Sequence, residues 1–207
     1  MFTIIIPHLH TKMNDECLSI NLQMLRDNTI SPYEVIVDDR DMDPYEIWND
    51  QIFKAKTDIV VMSNTDVLMA PGWDSMVGYC APNAIVTGYL VECGVILTHP
   101  VNISCNFGKS PSTFNRIEFE KFVSEKSQTV PHIKEERGWY MPCAVNRDWF
   151  ISTGGFDMSK GSFRKKIPLD IYFWDACIKI PGFKLFRANS FAYHFQNLSD
   201  ESRVNRK

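Results

Sequence analysis

An α/β fold on a mostly parallel sheet is predicted by three features of the sequence. Apolar, β-branched runs recur at residues 2–6, 33–37 and 58–62. Helical segments separate them at the spacing of βαβ units, whose strands pair in parallel through right-handed crossovers. With 207 residues and 44 % apolar side chains, the chain is long enough to bury a sizeable core.

The first run is unbroken and closed by Pro7, as a buried parallel strand should be. Leu18, Leu22 and Leu25 recur at i, i+4 and i+7 and mark an amphipathic helix that Asn28 and Ser31-Pro32 close. The second run ends in the acidic loop Asp38-Asp39-Arg40-Asp41. Asp43, Pro44 and Glu46 then spell a helix start, as cap, first-turn proline and capping-box acid, and Trp48, Ile52 and Ala55 form the buried face. The third run passes directly into Asn64-Thr65-Asp66. After Pro71-Gly72-Trp73 the runs shorten, to 84–91 and 94–97, so the second half reads as mixed α+β. Helices are expected over 116–125 and 169–179, a polar loop over 128–137, and final strands at 183–187 and 191–194. No repeat or low-complexity linker divides the chain.

A formal net charge of −3 removes any electrostatic case for binding nucleic acid or an anionic membrane surface. No window approaches the apolar length of a membrane span. The six cysteines contain no CxxC pair, which points away from cysteine-zinc and disulfide frameworks. The amino terminus reads as a first strand rather than a signal peptide, so a reducing, cytoplasmic setting is expected.

Ligands of open α/β sheets bind outside the carboxyl ends of the strands. Three polar clusters fall there: His8 and His10 after the first strand, Asp38 and Asp39 after the second, and Asn64-Thr65-Asp66 after the third. Each alone is explained by ordinary turn chemistry; three on one edge point to a site. An acidic edge repels phosphate unless a divalent cation stands between them, and a hard oxygen ligand such as Asp66 suits Mg²⁺ or Mn²⁺, which can bridge a diphosphate. Asn64 keeps the shape of a carboxylate without its charge and suits a ribose hydroxyl.

The segments TIIIP, YEVIVDD, Asn49 six residues before Ala55, and IVVMSNTDVLMAPGW resemble, in order and spacing, the nucleotide-sugar-binding half of GT-A glycosyltransferases of the inverting, family-2-like kind. GWYMPCAVNRDWFISTGGFD is similar to that family's acceptor-side segment, and PLDIYFWDACIKIPGF to the one that carries its catalytic carboxylate. The pattern is also similar to the small glycosyltransferase domains of chlorella viruses, which would make the setting a host cytoplasm. The resemblance implies a GT-A fold with a Rossmann-like, mostly parallel sheet, as one domain over 1–207. Its nucleotide-binding half would span about 1–75 and its acceptor and catalytic half about 76–195. The implied reaction moves a sugar from a nucleotide-diphospho-sugar, UDP-linked, to a hydroxyl of a glycan or glycoprotein acceptor, with Mn²⁺ or Mg²⁺ and inversion.

Residue by residue, the resemblance implies a metal held by Asp66 and the late histidine His194, and Asp170 as base. The family's usual Glu-Asp pair is reduced here, which leaves Asp175 as the alternative base. The implied donor pocket comprises Pro7, His8, His10, Asp38, Asp39, Asn49, Asn64, Thr65 and Asp66, in which Asp39 meets the uracil imide and Asp38 orients its loop. Trp139 and Tyr140 would form the acceptor platform. The basic run Arg164-Lys165-Lys166 is either a solvated loop or a lid over the diphosphate.

Two other readings compete. A sugar-nucleotidyltransferase would need a glycine- and basic-rich triphosphate loop after the first strand, and PHLHTKMND has no glycine. A non-catalytic nucleotide-sugar or carbohydrate-binding module would keep the pocket without turnover. No GxGxxG follows a strand, which argues against a dinucleotide-dependent dehydrogenase. The chain is also compatible with being one module of a longer, multi-domain transferase.

Overall fold

Phe2, Ile4 and Ile6 turn to one face of strand β1 (Phe2–Pro7) and Ile5 to the other, and all four are fully buried. A strand apolar on both sides needs helices on both sides, and the chain supplies them. The computed structural model describes residues 1–94, 102–136, 141–165, 167 and 169–195. Helix α1 (Lys12–Asn28) lays Leu25 on the Ile4–Ile6 face, while α2 (Pro44–Lys54) lays Ile47, Trp48 and Ile52 on the Ile5 face. Later in the chain, α4 (Arg147–Ser152) and α5 (Leu169–Cys177) join α2, and α3 (Arg116–Ser127) joins the α1 side through Phe119 and Val123. The helix starts follow the sequence signals: Thr11 caps α1 by accepting from the Asn14 N–H at 3.1 Å, and Asp43 and Glu46 close the capping box of α2.

One sheet carries β2 (Tyr33–Asp38), β1, β3 (Ile59–Met62), β8 (Cys143–Asn146), β5 (Ala84–Glu92), β9 (Lys184–His194) and β4 (Val67–Met69), in that order. The short strands β6 (Ile103–Ser104) and β7 (Ile133–Glu135) lie beside β5 and β9. β1 is parallel to both β2 and β3. Because β8 is antiparallel to both β3 and β5, β5 runs in the direction of β1, and β6 and β9 run parallel to β5. The sheet is therefore mostly parallel, as predicted, and the reversed strands β4, β7 and β8 all belong to or border the mixed second half. The carboxyl ends of β1, β2, β3, β5 and β9 consequently share one edge.

Two expectations need correction. The loop predicted at 128–137 contains β7, whose residues are half-buried or exposed, so it shows none of the apolar alternation that marks a strand. The two last strands are one strand: Asn189 and Ser190 interrupt the apolar pattern, but Asn189 donates to the Ser127 carbonyl and Ser190 to that of Trp73, which satisfies both without a turn. The run after Met62 turns and re-enters the sheet as β4, then forms a 3-10 helix, Trp73–Tyr79. Most of the strand expected at 94–97 lies outside the described residues.

β5 and β9 shift register between Thr87 and Tyr89. At Gly88, an added Cβ would sit 2.6 Å from the Ser190 carbonyl oxygen. Backbone on both sides leaves that collision no cheap relief. Gly88→Ala is expected to cost about 2 kcal/mol, lowering the thermal midpoint by roughly 5 °C in scanning calorimetry; an unchanged midpoint would contradict this packing.

Candidate active site

Backbone and buried polar groups fix the edge. The His8 N–H donates to the Asp38 carbonyl at 2.8 Å, the Ser63 N–H to Ile5 at 3.1 Å, and the Thr65 hydroxyl to Pro7 at 3.0 Å. Asn21, buried in α1, donates to the carbonyls of Asn64 (3.0 Å) and Thr65 (3.2 Å). Pro7 and Thr65 therefore clamp the ends of β1 and β3 together. The amide of half-buried Asn64 makes no hydrogen bond among the described residues.

Asp38 is buried and saturated. It accepts from the Arg40 backbone and guanidinium and from Gln51, and these bonds, Arg40's first, hold its carboxyl down at about 2 against the opposing effect of burial. Its neighbour Asp39 is exposed and meets His10 Nε2 at 3.3 Å. Asp15, in the first turn of α1, accepts from His8 Nε2 (2.8 Å) and His10 Nδ1 (3.0 Å). Those bonds lower the Asp15 pKa, His10's contribution coming first, and Asp15 and then Asp39 raise that of His10. Asp15 was absent from the sequence-based list; its signal was an acid in a helix's first turn, one short loop after two histidines.

β9 builds the other cluster. Its last residue, His194, stands opposite Val67 of antiparallel β4 and opposite Glu92 of parallel β5. Asp66, just before β4, is thereby brought within 3.3 Å of His194 Nε2, while Nδ1 donates to buried Glu92 at 2.8 Å. Burial alone would disfavour a charged ring, but the charges and hydrogen bonds of Asp66 and Glu92 outweigh it and raise the His194 pKa well above its usual 6.5. Glu92 too escaped sequence reading. It closes an apolar strand with a carboxylate, as Asp38 does.

Asp170 and Asp175 are separated by environment. Asp170, half-buried in the first turn of α5, accepts from the Tyr45 hydroxyl at 3.1 Å, whereas Asp175 is exposed. Burial, and then the charge of Asp170, push the Tyr45 pKa upward. The Asn49 side chain donates to the Phe156 carbonyl at 2.8 Å and accepts its N–H at 2.9 Å, and a Cβ on Gly155, where φ is +64°, would lie 2.5 Å from the Asn49 oxygen. Both ends of that amide are thus spent on a turn of the chain. Arg164 pairs with Asp41, and its N–H donates to Asp43 at 3.2 Å; Lys166, like Trp139 and Tyr140, lies outside the described residues. Between these segments is a polar cleft of about 280 Å³, bordered by Asp41, Glu46, Ser162 and Lys165.

The fold is GT-A-like. No protein-family model matches the sequence, and no curated protein matches it. Among solved structures, GalNAc-T7 with UDP, GalNAc and Mn²⁺ superimposes with a TM-score of 0.59 at 11 % identity, covering 94 % of this chain and 43 % of that one. The chain therefore spans less than half the length of that structure. A nucleotidyl transferase from Methanothermobacter thermautotroptrophicus matches at a TM-score of 0.46 and 10 % identity, over 99 % of this chain and 95 % of the other.

Because the His194 pKa is raised on folding, its protonated form adds stability that is fully present below about 6.5, the unfolded value, and is lost as pH rises through the folded value. In chelator, the stability difference between wild type and His194→Gln should therefore shrink as pH rises above 6.5 in a series of urea titrations; a difference independent of pH would contradict the charged ring. Asn49→Ala should cost about 1–2 kcal/mol of stability through the unpaired Phe156 backbone while leaving nucleotide affinity unchanged in calorimetry; a loss of affinity at constant stability would return Asn49 to the donor pocket.

Proposed function

We propose that this protein is a GT-A glycosyltransferase that transfers a sugar from a UDP-sugar to a hydroxyl of a glycan or glycoprotein acceptor, with inversion. The observation that carries the reading is the Asp66–His194–Glu92 cluster on the carboxyl edge of a GT-A-like sheet. The neighbour bound to UDP, GalNAc and Mn²⁺ supports it by fold. Among the described residues no helix is long and apolar enough to cross a membrane, and a cytoplasmic setting is part of the proposal.

The residues present fit a divalent cation. Asp66 Oδ2 and His194 Nε2, 3.3 Å apart, have about the separation of neighbouring ligands in an octahedral shell with bonds near 2.1 Å. Glu92 on Nδ1 fixes the ring so that Nε2 faces Asp66, the arrangement in which a carboxylate orients a metal-ligating imidazole. Mn²⁺ or Mg²⁺ there would supply positive charge for the departing diphosphate. Because Asp66 and Glu92 raise the His194 pKa, a proton on the ring competes with the cation for this position.

We assign Asn64, whose amide is uncommitted, to the ribose. Exposed Asp39 is the side chain we assign to the uracil, with saturated Asp38 holding its loop. Pro7, His8 and Thr65 shape the floor. Asp170 takes the proton from the acceptor hydroxyl as that oxygen bonds to the anomeric carbon and the bond to the diphosphate breaks. Tyr45, donating to Asp170, holds the carboxylate in place. Trp139 and Tyr140 are assigned to the acceptor, on a segment entered from Glu136, which buried Arg187 anchors at 2.7 Å.

Two measurements test this. UDP should bind more tightly with Mn²⁺ than in excess chelator by at least tenfold, because the unscreened acidic edge repels phosphate; equal affinity would remove the metal from the reading. Asp170→Asn should cut turnover by on the order of 10²-fold or more with donor affinity nearly intact, while Asp175→Asn is neutral. The opposite pattern would make Asp175 the base. Donor binding without turnover by the wild-type protein, with any acceptor or water, would favour a non-catalytic binding module.

A further inference from the structure

We propose that His8, His10 and Asp15 form a second cation site, which takes Zn²⁺ or a similar imidazole-preferring divalent transition ion and is independent of the position at Asp66 and His194. Each of the three side chains offers one ligand atom, and these atoms all lie within 4.8 Å of one another. Asp15 Oδ1 lies 2.8 Å from one nitrogen and 3.0 Å from the other. In a tetrahedral zinc site with bonds near 2.0–2.1 Å, neighbouring ligand atoms are roughly 3.3 Å apart, so a few tenths of an ångström of opening admits the ion.

The supports differ in stiffness in a way that permits this. His8 is 3 % exposed and held by its backbone to Asp38, so its ring is fixed; its Nδ1 is enclosed and has no partner, which leaves Nε2 as its ligand atom. The side chains of His10 and Asp15 are 65 % and 51 % exposed and can adjust. Asp39 supplies a further feature. It meets His10 Nε2 at 3.3 Å, and a carboxylate on one imidazole nitrogen presents the other as a ligand. Asp15 is aimed by the start of α1: its N–H bonds the Thr11 carbonyl at 2.8 Å, and the Thr11 side chain caps the same turn.

Ligand chemistry separates the two positions. Two imidazoles and one carboxylate favour Zn²⁺, Co²⁺ or Ni²⁺ over Mg²⁺, and three protein ligands leave a fourth position for water or a ligand oxygen. The proposal does not rest on the transferase reading, because its readout is metal retention rather than turnover.

Co²⁺ added to the full chain at neutral pH should give the intense visible absorption of a four-coordinate ion, saturating at one equivalent and abolished by Zn²⁺. His10→Ala and Asp15→Asn should remove that absorption, with the far-ultraviolet circular dichroism unchanged at these exposed positions. Asp39→Asn should weaken Zn²⁺ binding by about 10- to 100-fold in a chelator competition. Asp66→Asn should leave the spectrum intact. An absent four-coordinate spectrum, one that survives His10→Ala, or one lost in Asp66→Asn would overturn the proposal, the first showing that the cluster is an exposed ion pair only.

Discussion

Two carboxylates facing one imidazole set the terms for the rest of this molecule. Asp66 and Glu92 stand on either side of His194 at the carboxyl edge of the sheet, and each is held there by main-chain pairing rather than by its own flexibility. In a partly buried setting such a cluster is stable only while a positive charge sits between the carboxylates. A proton on His194, whose pKa the two carboxylates raise, is one such charge. A divalent cation is the other species that satisfies the same requirement, and exchange of one for the other is the link between this geometry and the proposed chemistry.

The register of β9 makes the cluster possible. Its eleven residues run parallel to β5 and antiparallel to β4, so segments distant in sequence meet at residue 194. Along the same edge, Thr65 bonds the main chain of β1, Asn21 bonds that of the turn after β3, and Asp38 is tied down by Arg40 and Gln51. These buried bonds leave little freedom in the scaffold, while Asp39, His10 and Asp15 remain exposed upon it. The pattern is a rigid edge bearing a few adjustable polar groups, which suits recognition of a charged, polar ligand.

The sequence carried the amino-terminal half of the fold plainly. Apolar runs at 2–6 and 58–62 are buried strands, the Asp43–Glu46 capping box forms as read, and the polar clusters after β1, β2 and β3 lie on one edge. The second half was less legible because long-range pairing overrides local pattern there. β7 is polar yet paired, and β9 continues through Asn189 and Ser190 because their side chains find main-chain partners elsewhere. For the site, side-chain polarity at strand ends identified Asp66 but not what each group would touch. Nothing local says that the Asn49 amide is spent on Phe156, or that Glu92 lies behind His194, since both facts depend on residues about 100 positions away.

The central claim is that Asp66 and His194 together hold the cation that meets the donor diphosphate. Nuclear magnetic resonance of the histidine rings in the presence of UDP tests it most directly, because paramagnetic Mn²⁺ broadens nuclei close to it. Substoichiometric Mn²⁺ should broaden the His194 ring resonances first, and Asp66→Asn should abolish that effect at the same Mn²⁺ concentration. His194 resonances that stay sharp while UDP and Mn²⁺ bind elsewhere on the protein would contradict the account.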